Sequence, residues 1–216
     1  PCSGPGTRST GYTKFHKALI RIGNMAVIDH IIQSYVDIDT IYITLGYKAE
    51  IVREYIEHAG YKNVEFINIP DWNNNQIASF QQIQEHVFRE SLYYNACDNW
   101  TTTVPEPLGN TYYTCMPSDS QHYDSSNGAV YSGIAYIKDA QYFYELLQNS
   151  QLTRNDLLLY QKFDQLTAMP LNDWFDVGNK DSYIISSEQF NDDFNILDKS
   201  NQEFYKINSR VVKLFQ

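Results

Sequence analysis

The sequence predicts an α/β fold, a Rossmann-like three-layer sandwich in which a mostly parallel mixed sheet is flanked by helices. Three observations favour this class. Strand-like and helix-like segments alternate about every 20–25 residues in the first part of the chain, which is typical of parallel sheets. The strand-like segments are rich in β-branched and aromatic residues, as buried strands are. Hydrophobic residues make up 43% of the 216-residue chain, which is enough for a sizeable core.

The alternation is clearest between residues 26 and 70. Apolar residues recur there with helical spacing in two segments, and two β-branched segments separate them. Gly60 follows the second helical segment, where a glycine commonly ends a helix, and Pro70 closes the second strand. The predicted elements are a helix over 26–35, a strand over 40–45, a helix over 48–58 and a strand over 64–69.

The second half of the chain is more mixed, because polar connections rich in Thr, Ser, Asn and Gly surround its strands. We predict helices over 78–90, 139–148, 155–163 and 181–190, and strands over 92–97, 111–116, 129–138 (broken by Gly133) and 166–171. Residues 1–190 would form one domain. Residues 191–216 would form a C-terminal β extension, which is either a hairpin packed on that domain or the start of a further domain.

Composition excludes several function classes. The net charge is -10, which argues against a general nucleic-acid binder. No apolar run is long enough to span a membrane, and no signal-peptide pattern is present. The three cysteines have no metal-binding spacing, so we expect small buried thiols in a reducing compartment, the cytoplasm. The oligomeric state is not predicted.

The charge is unevenly distributed along the chain. Residues 1–28 contain four basic side chains and no acidic one, whereas the rest of the chain is strongly acidic. The same segment is rich in glycine and small residues between positions 2 and 8. Small residues let a backbone approach a ligand closely, and consecutive amide N–H groups form anion sites. The segment therefore predicts a local site for one anionic ligand.

The glycine-rich segment fits neither common nucleotide-loop pattern. A Walker A loop requires Gly-x-x-x-x-Gly-Lys-Ser/Thr, and the dinucleotide pattern Gly-x-Gly-x-x-Gly fails because position 9 is Ser. Arg8 provides a planar fork and Lys17 a point charge, and both groups suit phosphate. The chain begins abruptly inside this segment, so we also expect that a strand leading into it is missing.

Five motifs in order resemble the sugar-phosphate nucleotidyltransferase family, over roughly residues 1–190. The first combines Gly-x-Gly-Thr-Arg with a following Lys-Ala-Leu and an apolar helix, and the second is a strand ending in Leu-Gly-Tyr. The third is a strand ending in aspartate, the fourth is Gly-Ile-Ala, and the last is Trp-Phe-Asp-Val-Gly-Asn. The motifs lie at residues 3–32, 41–47, 95–98, 131–135 and 174–179.

The resemblance implies a reaction in which a nucleoside triphosphate gives its nucleoside monophosphate to a sugar phosphate or small phospho-alcohol, with release of pyrophosphate. It implies Mg²⁺ as cofactor, and it favours CTP and a role in capsule or surface-polysaccharide synthesis. The catalytic residues would be Arg8 and Lys17, and the metal ligands Asp98 and Asp176. The nucleotide-binding residues would be Ser3, Gly4, Gly6, Thr7, Gln76 and Ser79.

Each of these roles has a structural alternative. Asp98 follows a strand and could serve as a turn or cap residue, and Asp176 could form an Asx-turn before Val-Gly. Arg8 and Lys17 could be solvated surface charges. Departures from the family pattern are His16, where the family usually has proline, and residues 117–130, which lack an expected acceptor lysine. The loop over 73–76 also lacks the usual glycine.

Two other functions stay open at this point. A non-catalytic nucleotide-binding regulatory domain of the same fold would explain the missing lysine and the proline-to-histidine change. A glycosyltransferase of related architecture would usually have an Asp-x-Asp metal motif, and Asp98-Asn99-Trp100 lacks the second aspartate. The nucleotidyltransferase hypothesis accounts for most of the motifs.

Overall fold

The structure of the protein is a computed structural model, and it describes residues 2–4, 6–7, 9, 11–35, 37–70, 72, 82–84, 86, 91–115, 130–149 and 167–190. A short 3-10 turn spans Lys17–Leu19. The helices are α1 Val27–Gln33, α2 Ala49–Ala59, α3 Ala140–Asn149 and α4 Lys180–Phe190. The strands are β1 Arg21–Ile22, β2 Met25–Ala26, β3 Ile41–Leu45, β4 Val64–Asn68, β5 Leu92–Asn95, β6 Asn99–Trp100, β7 Thr111–Cys115, β8 Val130–Ile137, β9 Thr167–Pro170 and β10 Phe175–Asp176.

These elements confirm the α/β class and the mixed sheet. Strands β3 and β4 pair in parallel over their full length, from Ile41 opposite Val64 to Leu45 opposite Asn68. Strands β5, β8, β7 and β9 form a second group in that spatial order. Strand β8 runs antiparallel to both of its neighbours, whereas β7 and β9 are parallel. The predicted helix over 155–163 and the extension over 191–216 lie outside the described residues, as does most of the predicted helix over 78–90.

The main core lies between α1, α2, β3 and the short strands near residue 100. Its fully buried side chains include Ile22, Val27, Val52, Trp100 and Val177. Burying one aliphatic side chain of this size contributes about 1.5–3 kcal/mol. The core therefore joins the N-terminal segment to β6 and β10, which are far away in sequence. In the described part of the chain, no helix has both the length and the apolar character to cross a bilayer.

The ends of the helices follow local chemistry. Helix α2 ends at Gly60, which adopts a left-handed φ of 81°, as its sequence position predicts. Asp29 in the first turn of α1 accepts a hydrogen bond from the Ala26 N–H at 2.9 Å. The same carboxylate accepts from the hydroxyls of Tyr55 at 2.5 Å and Tyr61 at 2.8 Å. Asp29 thus links the start of α1 to Tyr55 in α2 and to Tyr61 just after it.

Strand β8 differs from its prediction at Gly133. The strand continues through this residue, and the pairing with β7 shifts register between Tyr112 and Thr114 instead. Gly133 has φ +86°, and a Cβ atom there would lie 2.4 Å from Nδ2 of Asn99. Both constraints require glycine, so β8 stays continuous and bulges where Asn99 approaches its backbone.

Candidate functional site

The pairing of β6 with β10 places two aspartates side by side. Asp176 lies opposite Asn99 in this antiparallel pair, and the N–H of Val177 donates to the carbonyl of Asp98 at 2.8 Å. Both aspartates are buried, with 7% of Asp98 and 3% of Asp176 exposed. Two strand ends from distant parts of the chain therefore present their carboxylates in one place.

Lys17 completes this cluster. Its Nζ lies 2.7 Å from Oδ2 of Asp98, and both side chains are largely buried. Burial by itself would lower the pKa of Lys17, but the neighbouring acidic groups, above all Asp98, together outweigh burial and raise that pKa well above its ordinary value. The lysine therefore stays protonated, and its positive charge lies at the base of the site.

The environment of Asp176 shows that the two carboxylates interact. Burial and then the charge of Asp98 raise the pKa of Asp176 to about 6. The N–H of Gly178 donates to Oδ1 of Asp176 at 2.9 Å and partly opposes this shift. This hydrogen bond is also the Asx-turn that the sequence offered as an alternative. The turn orients the carboxylate and does not remove it from the cluster.

His16 explains how the chain holds Lys17 without the proline of the family pattern. Nδ1 of the buried imidazole accepts the N–H of Ala18 at 3.2 Å and caps the turn Lys17–Leu19. Burial and then the charge of Lys17 lower the pKa of His16 to about 4, so the ring is neutral and available as an acceptor. The φ of His16 is -63°, a value that proline also adopts.

The glycine-rich segment lies against the Lys17 side chain. Gly6 has φ +59°, and a Cβ atom there would be 3.0 Å from Oγ of Ser9 and 3.6 Å from Cδ of Lys17. Ser9 closes the turn, since its N–H and its hydroxyl both donate to the Gly6 carbonyl, at 2.9 Å and 2.7 Å. The backbone at Gly6 is therefore placed directly beside the lysine.

The other predicted loop residues have different environments. Ser3 is buried, and its carbonyl accepts the N–H of Tyr47 at 2.9 Å. Among the residues that the structure describes, none has a heavy atom within 4 Å of a Cβ built on Gly4, and Thr7 is exposed. Arg8, Gln76 and Ser79 lie outside the described residues, and their roles stay predictions.

Tyr12 is a contributor that the sequence did not reveal. Its hydroxyl donates to the carbonyl of Val177, and its ring stacks on Tyr183 with centroids 5.4 Å apart. Burial, followed by the charges of Asp176 and Asp98, raises the pKa of Tyr12 above its ordinary value. Tyr12 connects the N-terminal loop to the segment that carries Asp176. The chain has 18 tyrosines, and nothing in the sequence around Tyr12 distinguishes it from the others.

The donor set fits Mg²⁺. The described residues contain no cluster of three or more His, Cys, Asp or Glu side chains of the kind that holds a metal by protein ligands alone. Mg²⁺ usually keeps waters and binds through one or two carboxylates plus substrate phosphates. Asp98 and Asp176 supply such a pair, and two buried carboxylates beside one ammonium leave an excess of negative charge.

Comparisons by sequence and by structure give different answers. The sequence matches no protein-family model and no curated protein. Solved structures match the fold over most of the chain, and sugar-phosphate nucleotidyltransferases are prominent among them. The CTP:phosphocholine cytidylyltransferase of Streptococcus pneumoniae is 15% identical with a TM-score of 0.69, covering 88% of this chain and 96% of that one.

Two further structures are similar to the same degree. The UDP-glucose pyrophosphorylase of Acinetobacter baumanii is 14% identical with a TM-score of 0.69, covering 96% of this chain and 97% of that one. HddC of Yersinia pseudotuberculosis, solved with GMP-PN, is 14% identical with a TM-score of 0.67, covering 88% of this chain and 97% of that one. The chain therefore has the nucleotidyltransferase fold that the five motifs predicted.

Proposed function

We propose that the protein is a nucleotidyltransferase that moves a nucleoside monophosphate from a nucleoside triphosphate to a phosphorylated small molecule. One observation carries the proposal. Lys17, Asp98 and Asp176 come from three distant parts of the chain and form one buried charged cluster, beside the backbone of Gly6. A cluster that is costly to bury is expected at a site where charges must be held in fixed positions.

The proposed reaction is a single displacement at phosphorus. An oxygen of the acceptor phosphate attacks the α-phosphorus, and the bond from that phosphorus to the bridging oxygen breaks, so that pyrophosphate leaves with the electron pair. The attacking oxygen is already ionised, and no protein base is required. Positioning and charge neutralisation are then the main contributions of the protein. Lys17 is suited to both tasks, because its ammonium is held by Asp98 and stays protonated.

Asp98 and Asp176 would hold Mg²⁺, which would supply positive charge against the triphosphate. The two carboxylates keep their orientation through the protein itself. Asp176 is fixed by the Gly178 N–H and by Ser186, whose hydroxyl is 2.8 Å from both the N–H and the carbonyl of Asp176. Asp98 is fixed by Lys17 and by the backbone bond from Val177.

The glycine-rich segment would bind the phosphates. The backbone of Gly6 lies beside Lys17, and the consecutive amides of Gly6 and Thr7 are of the kind that attracts anions. Arg8 is proposed for the β- and γ-phosphates because of the family resemblance. Gln76 and Ser79 are proposed, on the same ground, to contact the nucleotide.

The nucleotide base and the acceptor are a finer proposal. We propose CTP as donor, because one neighbour is named for CTP and phosphocholine. Of the other two neighbours, one is named for UDP-glucose and the other was solved with GMP-PN, so similarity of fold does not select the base. The acceptor would be a sugar phosphate or a small phospho-alcohol of surface-polysaccharide synthesis.

Pyrophosphate release tests the proposal. The protein is incubated with each of the four NTPs and Mg²⁺, with and without a panel of phosphorylated acceptors. Acceptor-dependent release with one NTP, lost in Asp176→Asn and retained in the exposed helix variant Asp181→Asn, supports the transferase. NTP binding without release under any condition would favour the regulatory alternative instead. Absence of both binding and release would contradict both functions.

A further inference from the structure

Two of the three cysteines in the chain lie against each other beside the charged cluster. Cys2 and Cys97 are each 2% exposed, and the thiol of Cys2 donates a hydrogen bond to the sulfur of Cys97. Both are free thiols, and the proposed reaction uses neither of them. The third cysteine, Cys115, packs in a separate group with Val130 and Trp174. We call Cys2 and Cys97 the thiol pair.

Each member of the thiol pair adjoins a part of the functional site. Cys2 directly precedes the glycine-rich segment, and Cys97 directly precedes Asp98. The ammonium of Lys17 is near enough to act electrostatically on both thiols. The segment proposed to bind the phosphates and the segment proposed to bind the metal therefore meet at the thiol pair.

The backbone around both cysteines is held by hydrogen bonds. The N–H of Cys2 donates to the carbonyl of Thr44 at 2.9 Å, and the N–H of Ala96, just before Cys97, donates to the carbonyl of Gly133 at 3.0 Å. Heavy atoms in non-bonded contact lie roughly 3.5–4 Å apart, whereas the sulfurs of a disulfide lie about 2.05 Å apart. The two sulfurs would have to approach by more than about 1 Å to form a bond. A close-packed interior transmits such a movement to its neighbours.

A small oxidant has a route to the thiol pair. Cys2 and Cys97 both line a cavity of about 340 Å³. Asp39 and Ser91 line the same cavity and are exposed on the surface, so the cavity opens to solvent. Hydrogen peroxide is hardly larger than water and can enter a space of this size. Burial of the two thiols therefore slows their oxidation without preventing it.

We propose that Cys2 and Cys97 are an oxidation site, which a peroxide converts into a reversible disulfide that disturbs the ion pair between Lys17 and Asp98. The sulfur of one thiol attacks the O–O bond of the peroxide, which breaks, and a sulfenic acid and one water result. The second sulfur attacks the sulfenic sulfur, so that the S–S bond forms, the S–O bond breaks and a second water leaves. The two thiols are oxidised, the peroxide is reduced to two waters, and both thiol protons end in that water.

The disulfide would act as a switch on the functional site. Disulfides in a reducing compartment are usually transient and often redox-sensing, and a neighbouring thiol that resolves the sulfenic acid is typical of such sensors. The movement would reach Asp98 and the glycine-rich segment, because each of them adjoins one of the cysteines. Formation of the bond is independent of the proposed function, and only the loss of nucleotidyl transfer rests on it.

Oxidation of the whole chain tests the site itself. The 216-residue protein is treated with hydrogen peroxide, in native buffer and in concentrated urea. Free thiols are then alkylated, and the disulfides are mapped by mass spectrometry. In the folded protein we expect Cys2–Cys97 as the main disulfide, removed by a thiol reductant. In urea we expect Cys97–Cys115, because these two are much closer in sequence and shorter loops close at a lower cost in entropy.

Pyrophosphate release tests the switch. Because a displacement of about 1 Å at a reacting centre can cost about 10²-fold in rate, we expect oxidation to lower the rate at least about tenfold and a reductant to restore it. Cys97→Ala should keep its own rate in peroxide, and Cys2→Ala removes the same bond from the other side and should be equally resistant. The matched control Cys115→Ala should lose activity in peroxide as the unmodified protein does.

Hydrogen exchange gives a readout that does not depend on turnover. The N–H of Val177 donates to the carbonyl of Asp98, so a disturbed Asp98 should speed the exchange of this amide in the oxidised protein. If the reduced protein released no pyrophosphate, the proposed function would fail, and the disulfide map and this amide would still decide the present inference.

Several results would overturn the proposal. A folded protein that forms Cys97–Cys115, disulfides between chains, or sulfinic acid without a disulfide would show that the thiol pair is not the oxidation site. A mapped Cys2–Cys97 disulfide with an unchanged exchange rate at Val177 and unchanged pyrophosphate release would show that the bond is not a switch.

Discussion

Nζ of Lys17 lies 2.7 Å from Oδ2 of Asp98, although the two residues are 81 positions apart in the sequence. Each partner offsets part of the cost of burying the other, and Asp176 adds a second carboxylate beside them. The pair has two consequences. The ion pair supports the fold because it joins the turn at Lys17–Leu19 to the segment that follows β5. It also supports the proposed chemistry because it holds the Lys17 ammonium in a fixed position.

Replacing Lys17 with Met should abolish most of the nucleotidyl transfer. Removing a positioned charge of this kind typically lowers kcat by about 10²–10³. The variant also leaves two buried carboxylates without their cation, so its free energy of unfolding should fall as well. Steady-state pyrophosphate release and urea unfolding measure the two effects.

The matched control for Lys17 is Lys62→Met, which removes an exposed lysine after α2. It should change neither kcat nor the unfolding midpoint appreciably. If Lys17→Met retained full kcat with each substrate at saturation, the ammonium would have only a structural role.

Gly133→Ala should be clearly more destabilising than Gly60→Ala. Both glycines have left-handed φ, +86° and +81°, so both variants suffer backbone strain of about 1 kcal/mol. The new methyl group at Gly133 would meet Nδ2 of Asn99 at 2.4 Å, whereas no described residue comes within 4 Å of the corresponding atom at Gly60. Chemical denaturation of the two variants measures the difference. Equal losses would show that Asn99 moves aside at no cost.

Asp29→Asn should lower stability without lowering kcat. Its carboxylate accepts three hydrogen bonds, from the Ala26 N–H, the Tyr55 hydroxyl and the Tyr61 hydroxyl. Hydrogen bonds to a charged group contribute about 1.5–3 kcal/mol each, and an amide can replace only part of this set. Thermal unfolding should show the loss, and the exposed Asp37→Asn variant is the control. A large fall in kcat at a temperature where the variant is folded would contradict this structural role.

Much of the fold could be predicted because long elements leave periodic patterns. The apolar spacing of α1 and the β-branched run of β3 gave boundaries within a residue or two of those observed. Strands β6 and β10 have two residues each, too few to show a period, and their pairing is set by tertiary contacts of Trp100 and Phe175. The charged cluster depends on this pair, so the sequence could predict its members only through the order of motifs.

The contacts around the cluster were harder to predict. His16 stood out as a departure from the family pattern, but its role as an acceptor for the Ala18 N–H depends on ring orientation and burial. Tyr12 gave no signal, because a hydroxyl that reaches a distant carbonyl leaves no trace in local sequence. Such side-chain contacts are decided by packing, which a single sequence does not encode in any short window.

The pH dependence of stability provides a further test, at His30. This residue is buried, its ring stacks on Trp100 with centroids 5.0 Å apart, and Nε2 donates to the carbonyl of Ile22 at 3.0 Å. Burial lowers the pKa of His30, and the Ile22 carbonyl and Asp29 oppose this only in part. In the unfolded chain the pKa of histidine is about 6.5. As the pH falls, the unfolded state therefore binds a proton at His30 more readily than the folded state does.

It follows that the contribution of His30 is fully present above about pH 6.5 and is lost as the pH falls from there towards the lowered folded pKa. The free energy of unfolding, measured with urea at several values between about pH 5 and 8, should therefore contain a contribution from His30 that declines towards the acid side. In His30→Asn this decline should be smaller, so that the difference between the two proteins narrows at low pH. Ile31→Val, a neighbouring buried change without a titrating group, should instead lower stability by the same amount at every pH. Parallel curves for His30→Asn and the unmodified protein would show that His30 takes up its proton equally in both states.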